Sequence, residues 1–252
     1  MKGDSIITFR LDTTTIIRIL GALIGFCIFM ALVRGGAMYI NSNLTGDGLW
    51  MKFNMDNETT LPAYISSINL LIASALLALV CKLKERVADK YWKHWGLLSI
   101  GFLLLSIDEN ISLHEVIVHD YIMQLLEFSG PNHFVTGVLI TACAALSSAF
   151  FLKFLFHLPT TTRMRIITSG VIFVLGSAGV EAITGYLIAD GYQSQKIAYN
   201  IGVIVEEAME MTSVLLFIRA ILSYIQENLF DIISLFNIKA EVLVKEQLPI
   251  EA

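Results

Sequence analysis

The chain has 252 residues, of which 56% are hydrophobic and only 15% are charged, and its formal net charge is -5. A soluble domain carries about 25% charged residues, so this composition excludes an ordinary soluble protein and favours one that lies in a lipid bilayer. No basic face interleaved with aromatic residues is present, which excludes nucleic acid as a partner.

Six stretches are apolar and long enough to cross a hydrocarbon core of about 30 Å, which takes about 20 helical residues. In chain order they are Ile16–Val33, Leu61–Cys81, Trp95–Val118, Phe134–Phe154, Ile166–Ala189 and Asn200–Ile225. The connectors are short except Arg34–Thr60, and no soluble domain fits between the spans. The sequence therefore predicts an all-α fold, a polytopic membrane bundle of six transmembrane helices over residues 1–225.

The distribution of lysine and arginine predicts the orientation. The richer set of connectors carries Lys2, Arg10, Lys82, Lys84, Arg86, Lys90, Lys93, Lys153, Arg163, Arg165, Lys239 and Lys245. The opposite set carries Arg34, Lys52 and Lys196. Because basic residues collect on the cytoplasmic side, and because six spans return the chain to its starting side, we expect both termini in the cytoplasm.

The tail, residues 226–252, begins with an apolar stretch around Leu229, Phe230 and Phe236 that is too short to span a bilayer. One interpretation is an interfacial helix that lies on the cytoplasmic leaflet. The other is a packing segment of a homo-oligomer. The sequence leaves both open.

Acidic residues interrupt three of the spans. In the third span, a continuous helix would bring Asp108, Ser112, Glu115 and His119 within about 40° of one another on one face. On the same helix Glu109 and His114 would point elsewhere. The fifth span carries Glu181 between Ser177 and Thr184, and the sixth carries Glu206 and Glu210 on one stripe with Tyr199 and Ser213, with Glu207 beside it.

The depths of these acids agree. At 1.5 Å per residue, Asp108 lies about 20 Å and Glu181 about 22 Å from the cytoplasmic ends of their helices. Glu206 and Glu210 lie about 9–15 Å below the outer end of the sixth span. All three groups are therefore expected in the outer half of the bilayer, where they would form one shared site.

Neutralisation of these acids is the chemical question that the site raises. Seven carboxylates lie at this depth, and Arg34 is the one basic residue near enough to reach them. A charged acid near the bilayer centre costs at least about 2.5–3.5 kcal/mol, and neighbouring anions cannot all stay ionised. Bound protons or a bound cation would neutralise them.

A divalent metal is the more specific hypothesis. Carboxylates with imidazole suit zinc, manganese or iron, and an all-oxygen set suits calcium. Among the candidates, Asp108, Glu115, Glu181, Glu206 and Glu210 are the expected direct ligands, with His114 as the nitrogen ligand. The predicted metal-binding set is Asp108, Glu109, His114, Glu115, Glu181, Glu206, Glu207 and Glu210, with His119 as a further candidate.

Several segments resemble a widespread group of uncharacterised bacterial integral membrane proteins. They are Phe53–Ser67, Leu105–Glu109 with Leu113–Glu115, Leu158–Pro159 with Thr162–Arg163, Gly179–Glu181 and Val205–Met211. The resemblance covers roughly residues 50–225 and rests on an L-S-x-D-E…H-E pattern and an E-E-x-x-E-M pattern. It implies a location in the bacterial inner membrane and a common role for Asp108, Glu109, His114, Glu115, Glu206, Glu207, Glu210 and Met211.

Three functions fit these features. The first is an intramembrane cation site used for permeation, exchange or sensing. The second is a membrane metalloenzyme, either a di-metal oxidoreductase or a hydrolase of a lipid-soluble substrate, in which metal-activated water or oxygen reacts and one glutamate acts as base. The third is a structural subunit whose buried acids stay protonated. The sequence leaves open whether the protein is an enzyme.

Overall fold

The computed structural model describes residues 13–40, 48–117, 142, 146–147, 149–180, 182–184 and 195–229. Within these residues the secondary structure is helical without a β-strand, which confirms the all-α prediction. The helices are α1 Thr13–Ile40, α2 Leu61–Arg86, α3 Trp92–Ile111, α4 Leu113–Val116, α5 over residues 149–157, α6 Thr160–Val174 and α7 Gln195–Asn228. A 3₁₀ helix, Gly48–Phe53, precedes α2, and a π-helix, Leu175–Val180, continues α6.

Three helical stretches in the described part of the chain are long and apolar enough to cross a membrane. They are Thr13–Ile40, Leu61–Arg86 and Thr160–Thr184, and they overlap the first, second and fifth predicted spans. On α1, large apolar side chains such as Phe26, Phe29 and Leu32 are exposed. Lipid is the environment that suits such a surface, so the chain has the character of a membrane protein.

The prediction of one continuous third span, Trp95–Val118, is wrong. Helix α3 ends at Ile111, and Ser112 has a left-handed backbone with φ 50° and ψ 38°. The Ser112 N–H still donates to the Asp108 carbonyl at 2.9 Å, and α4 begins at the next residue. Short polar side chains compete with the helix backbone for hydrogen bonds, which explains the break in the sequence Asp108–Ser112.

The remaining predicted elements agree with the structure to different extents. The sixth span, Asn200–Ile225, lies inside the single helix α7. Most of the fourth span, Phe134–Phe154, lies outside the described residues, and its last residues belong to α5. In the predicted tail, residues 226–228 form the end of α7 and residue 229 follows it. The rest of the tail lies outside the described residues.

Small polar residues join α2 to α3. Ser67 and Ser106 each donate a hydroxyl hydrogen bond to the other's carbonyl oxygen, at 2.7 and 2.8 Å. Ser74 and Ser99 make the same reciprocal pair at 2.8 and 2.9 Å. Both pairs repeat at a seven-residue interval on each helix, which is the period of two helices that cross at a shallow angle. Interhelical hydroxyl bonds of this kind compensate for the missing hydrophobic drive between helices in lipid.

Helix α7 packs against α1, α2 and α6, so it forms the centre of the described bundle. Toward its C-terminal end, an apolar core surrounds Leu77, Trp95, Ile218 and Ile221, all of which are almost completely buried. Trp95 stacks on Tyr224 with ring centroids 5.2 Å apart. A second, smaller apolar cluster lies nearer the other end of α7, around Cys27, Ile65 and Met211.

The turn between α2 and α3 is fixed by Asp89. Burial favours the neutral carboxyl, but the Tyr91 N–H, the Lys84 ammonium and nearby His157 favour the charged form more and hold the pKa of Asp89 below its usual value. The N–H bond is 2.8 Å and the ammonium bond 3.1 Å. Charge-assisted bonds of this length are among the stronger ones in proteins, so they fix the angle at which α3 leaves α2.

The serine pairs predict a measurable coupling between α2 and α3. A double-mutant cycle of Ser67→Ala and Ser106→Ala should give a coupling free energy of about 1 kcal/mol, because the two hydroxyls bond directly to each other's helix. Reversible unfolding in mixed detergent micelles measures it. A cycle of Ser67→Ala with Ser169→Ala is the control, since Ser169 donates to Ile166 of its own helix. Equal coupling in both cycles would contradict the assignment.

Candidate functional site

Carboxylates from three elements act electrostatically on Glu207 of α7. The charge of Glu207 lies within electrostatic reach of Glu206 and Glu210 on the same helix, of Glu109 on α3 and of Asp56 in the segment before α2. We call these five residues the acidic group. Glu207 and Glu210 are one turn apart on α7, as are Glu206 and Glu210, so the helix alone brings three carboxylates to one side.

The end of α3 is held where Glu109 can join this group. The Asn110 side-chain amide donates to the Ser67 hydroxyl at 2.6 Å and to the Ser106 carbonyl at 3.2 Å. These bonds attach the last turn of α3 to α2 in addition to the Ser67–Ser106 pair. Because α3 ends at Ile111, the acidic stretch Asp108–Asn110 lies in the last turn of an anchored helix.

Asp56 connects the acidic group to the outer connector. Its carboxylate accepts a hydrogen bond from the Tyr199 hydroxyl at 2.7 Å, which links the connector to the first turns of α7. Asp56 also attracts Arg34 of α1 electrostatically. Asp56 therefore lies between the acidic side chains of α7 and Arg34, the basic residue that the sequence singled out as near enough to reach them.

The π-helix packs against the acidic part of α7. A Cβ atom added to Gly176 would lie 3.1 Å from Met209 Cβ and 3.2 Å from the Glu206 carbonyl oxygen. Farther along, Thr184 packs directly on Gly202. Glycine at both contacts allows the two backbones to approach closely. Widened π turns are frequent beside functional sites, and this one lies against Glu206 and Glu210.

The serine and threonine hydroxyls on these two helices bond locally. Ser177, Thr184 and Ser213 each donate to a carbonyl of their own helix, the acceptors being Phe173, Val180 and Glu210. Such bonds satisfy the hydroxyl without holding a neighbouring helix. The serine pairs of α2 and α3, in contrast, do join two helices.

The predicted site residues divide into three sets. Glu109, Glu206 and Glu210 act electrostatically on Glu207, and Asp108 is half-buried next to Glu109 in the chain. Glu181 and His119 lie outside the described residues. For His114 and Glu115, the backbone within α4 is described and the side chains are not. Glu109 is the α3 carboxylate that acts on Glu207, and the expected direction of its side chain stays a prediction.

Asp56 is the member of the acidic group that sequence reasoning missed. It lies in a connector, where neither helical periodicity nor depth along a span applies. Its segment, Phe53–Ser67, carried part of the family resemblance, and this was the available signal. The bond to Tyr199, a residue noted on the acidic stripe of the sixth span, explains why a connector carboxylate reaches the site.

Among the described side chains, no group of three or more histidine, cysteine, aspartate or glutamate residues is arranged to hold a metal ion. Carboxylates can influence one another electrostatically without being close enough together to bind the same metal ion. Carboxylates influence one another over several ångströms more than the 2.0–2.6 Å or so that ligation requires. The predicted ligands Glu181, His114 and Glu115 are not among the side chains that this observation covers.

The chain belongs to the family described as Domain of unknown function (DUF8692), whose model matches residues 20–225. The match covers the helical region and includes every predicted site residue. No curated protein matches the chain, and neither does any solved structure. The family agrees with the resemblance to uncharacterised proteins, and the chemistry must be argued from the residues.

The contact at Gly176 predicts a position-specific effect. Gly176→Val should destabilise the protein by about 1–3 kcal/mol, because the added atoms would press on the backbone of α7 at Glu206 and overpacking is costly. Gly170→Val on the same helix is the matched control, since a Cβ atom there meets nothing within 4 Å. Thermal unfolding in detergent measures both. Equal losses of stability would show that the close approach of α6 and α7 is not what Gly176 serves.

Proposed function

We propose that this protein spans the bacterial inner membrane six times, with both termini in the cytoplasm, and binds a cation at the acidic group in the outer half of the bilayer. The observation that carries the proposal is the position of Glu207 among four other carboxylates. The cation is a divalent metal such as zinc, manganese, iron or calcium. The protein binds it from the outer side only, as a sensor would, and does not pass it across the membrane.

Electrostatics supports a bound cation. Like charges in a poorly solvated site raise one another's energy, and a carboxylate held among others either binds a proton or gains a cation. Glu207 receives such repulsion from its own helix, from α3 and from the connector. A divalent ion relieves all of these repulsions at once, whereas a single proton neutralises one carboxylate. The more carboxylates converge, the more a cation is favoured over protons.

The positions along the helices support an outer location. Asn200 to Glu210 belong to the first half of α7, which follows the outer connector in the six-span topology. Glu109 is near the end of α3 that runs outward from the basic turn at Lys84 and Asp89. Asp56 belongs to the long outer connector itself. Three elements that the positive-inside rule assigns to the same side therefore contribute the carboxylates.

The inner part of the bundle favours binding over permeation. Between the acidic group and the basic turn, α2, α3 and α7 enclose Leu77, Trp95, Ile218 and Ile221. Phe102 and Phe217 stack with centroids 4.6 Å apart in the same region. An ion crossing between these helices would meet several layers of apolar side chains, where an unpaired charge is costly. A site open to one side suits sensing better than transport.

A membrane metalloenzyme is the second candidate. The specific observation in its favour is the π-helix that packs on Glu206 and Glu210, because such bulges are frequent at functional sites. In this case one glutamate acts as base toward metal-activated water or oxygen and the substrate enters from the lipid. A structural subunit with protonated acids is the third candidate, and it predicts a metal-free protein of undiminished stability.

Cation binding is tested by replacing members of the acidic group. Glu210→Ala and Glu181→Ala should each abolish metal uptake, and Glu207→Gln should weaken it at least tenfold, because each removes a negative charge from the site while the other carboxylates remain. Elemental analysis of purified protein and titration with Mn²⁺, Zn²⁺ and Ca²⁺ measure the effect.

The matched control is Glu85→Gln, which alters an exposed glutamate paired with Lys82. This variant should bind metal like the original protein. Metal content that is unchanged in both Glu210→Ala and Glu181→Ala would refute the assignment. A preparation that resists chelators, contains no metal and keeps its stability would favour the structural alternative.

A further inference from the structure

A small pocket lies between α1, α7 and the connector. Its polar lining comes from Arg34 of α1, Asn54 of the connector and Asn200 of α7, and its apolar lining includes Phe53, Met55 and Ile204. The space accommodates about one water-sized particle. Three separate elements therefore contribute a polar side chain to one narrow enclosure.

Arg34 is the unusual member of this lining. Arg34 is only 8% exposed. The Nη2 atom donates to the thioether sulfur of Met51 at 3.8 Å, and the Nε atom has no hydrogen-bond partner among the described residues. A thioether is a weak acceptor, whereas a guanidinium presents five donors. A buried cation with so few acceptors is costly unless something else satisfies it.

Asp56 does not meet this need fully. It attracts Arg34, but its carboxylate is exposed, accepts the Tyr199 hydrogen bond and also acts on Glu207. Arg34, Asn54 and Asn200 all line the pocket. An acceptor bound in the pocket would therefore complete the hydrogen bonding of Arg34.

We propose that this pocket binds a small monovalent anion, either chloride or a carboxylate group, against Arg34. The chemistry common to both is one negative charge on a group close to the size of water, and the guanidinium favours such acceptors. The narrow space disfavours phosphate groups and lipid headgroups. The inference does not depend on cation binding at the acidic group. An anion bound to Arg34 would replace Asp56 as the partner of the guanidinium, and Asp56 could then interact with a cation at the acidic group.

Anion replacement tests the proposal. Protein purified in detergent is unfolded thermally in sodium methanesulfonate, a bulkier anion without a carboxylate, which is replaced stepwise by sodium chloride or sodium acetate at constant ionic strength and pH. Binding to the folded state should raise the Tm by several degrees along a saturable curve. General salt effects raise or lower the Tm without saturation. Saturation with chloride alone identifies a halide site, and saturation with acetate alone identifies a carboxylate site.

Variants connect the effect to the pocket. Arg34→Gln should remove the saturable response, while Arg18→Gln, which alters an exposed arginine on the same helix, should retain it. Glu207→Gln should also retain it, which separates this proposal from cation binding. If Arg34→Gln does not fold, crystals of the original protein grown with bromide decide the matter. Absence of a bromide or carboxylate peak beside Arg34, or a response that Arg34→Gln shares, would overturn the proposal.

Discussion

Repulsion among carboxylates at one end of α7 is the constraint on which the rest of this structure depends. Glu206, Glu207 and Glu210 are carried by one helix, and Glu109 and Asp56 approach them from two other elements. Such an arrangement is unfavourable unless the surrounding contacts hold it and a proton or cation compensates for it. The fold supplies those contacts through the serine pairs, the Asn110 bonds and the glycine contacts with α6.

The two ends of the bundle differ because of this constraint. Around Trp95 and Tyr224 the helices pack through large apolar side chains, and the turn at Asp89 is fixed by a lysine and a backbone N–H. Around Glu207 the contacts include a smaller apolar cluster with Met211, the polar bonds of Asn110 and Tyr199, and the glycine contact at Gly176, which allows close approach of backbones.

Much of the fold was predictable from the sequence because hydropathy and helix length decide which segments cross a bilayer. The spans at Ile16–Val33 and Leu61–Cys81 lie inside observed helices for this reason. The end of α3 was not predictable in the same way. The helical periodicity of the sequence continues through Ser112. In the structure, however, the hydrogen bonds of Asn110 and the left-handed backbone at Ser112 accompany the end of the helix at Ile111.

The acidic residues of α7 could be singled out from the sequence, but the electrostatic partners of Glu207 on other elements could not all be predicted. Three glutamates of α7 were identified because seven acids without nearby basic residues are rare in apolar spans. The predicted common face of Asp108, Ser112, Glu115 and His119 assumed a helix that continues beyond Ile111, whereas α3 ends there. Asp56 was missed since its position depends on a connector that returns to α7 through the bond to Tyr199, and neither periodicity nor depth encodes such a return.

One measurement tests the central claim most directly: a density map of the purified protein around Glu207 and Glu210, recorded with anomalous scattering and accompanied by elemental analysis. The account predicts a metal peak about 2.0–2.6 Å from oxygens of at least two carboxylates of the acidic group, in roughly stoichiometric amount. A metal-free protein in which these carboxyl groups share protons through short hydrogen bonds, with full stability in chelator, would contradict it.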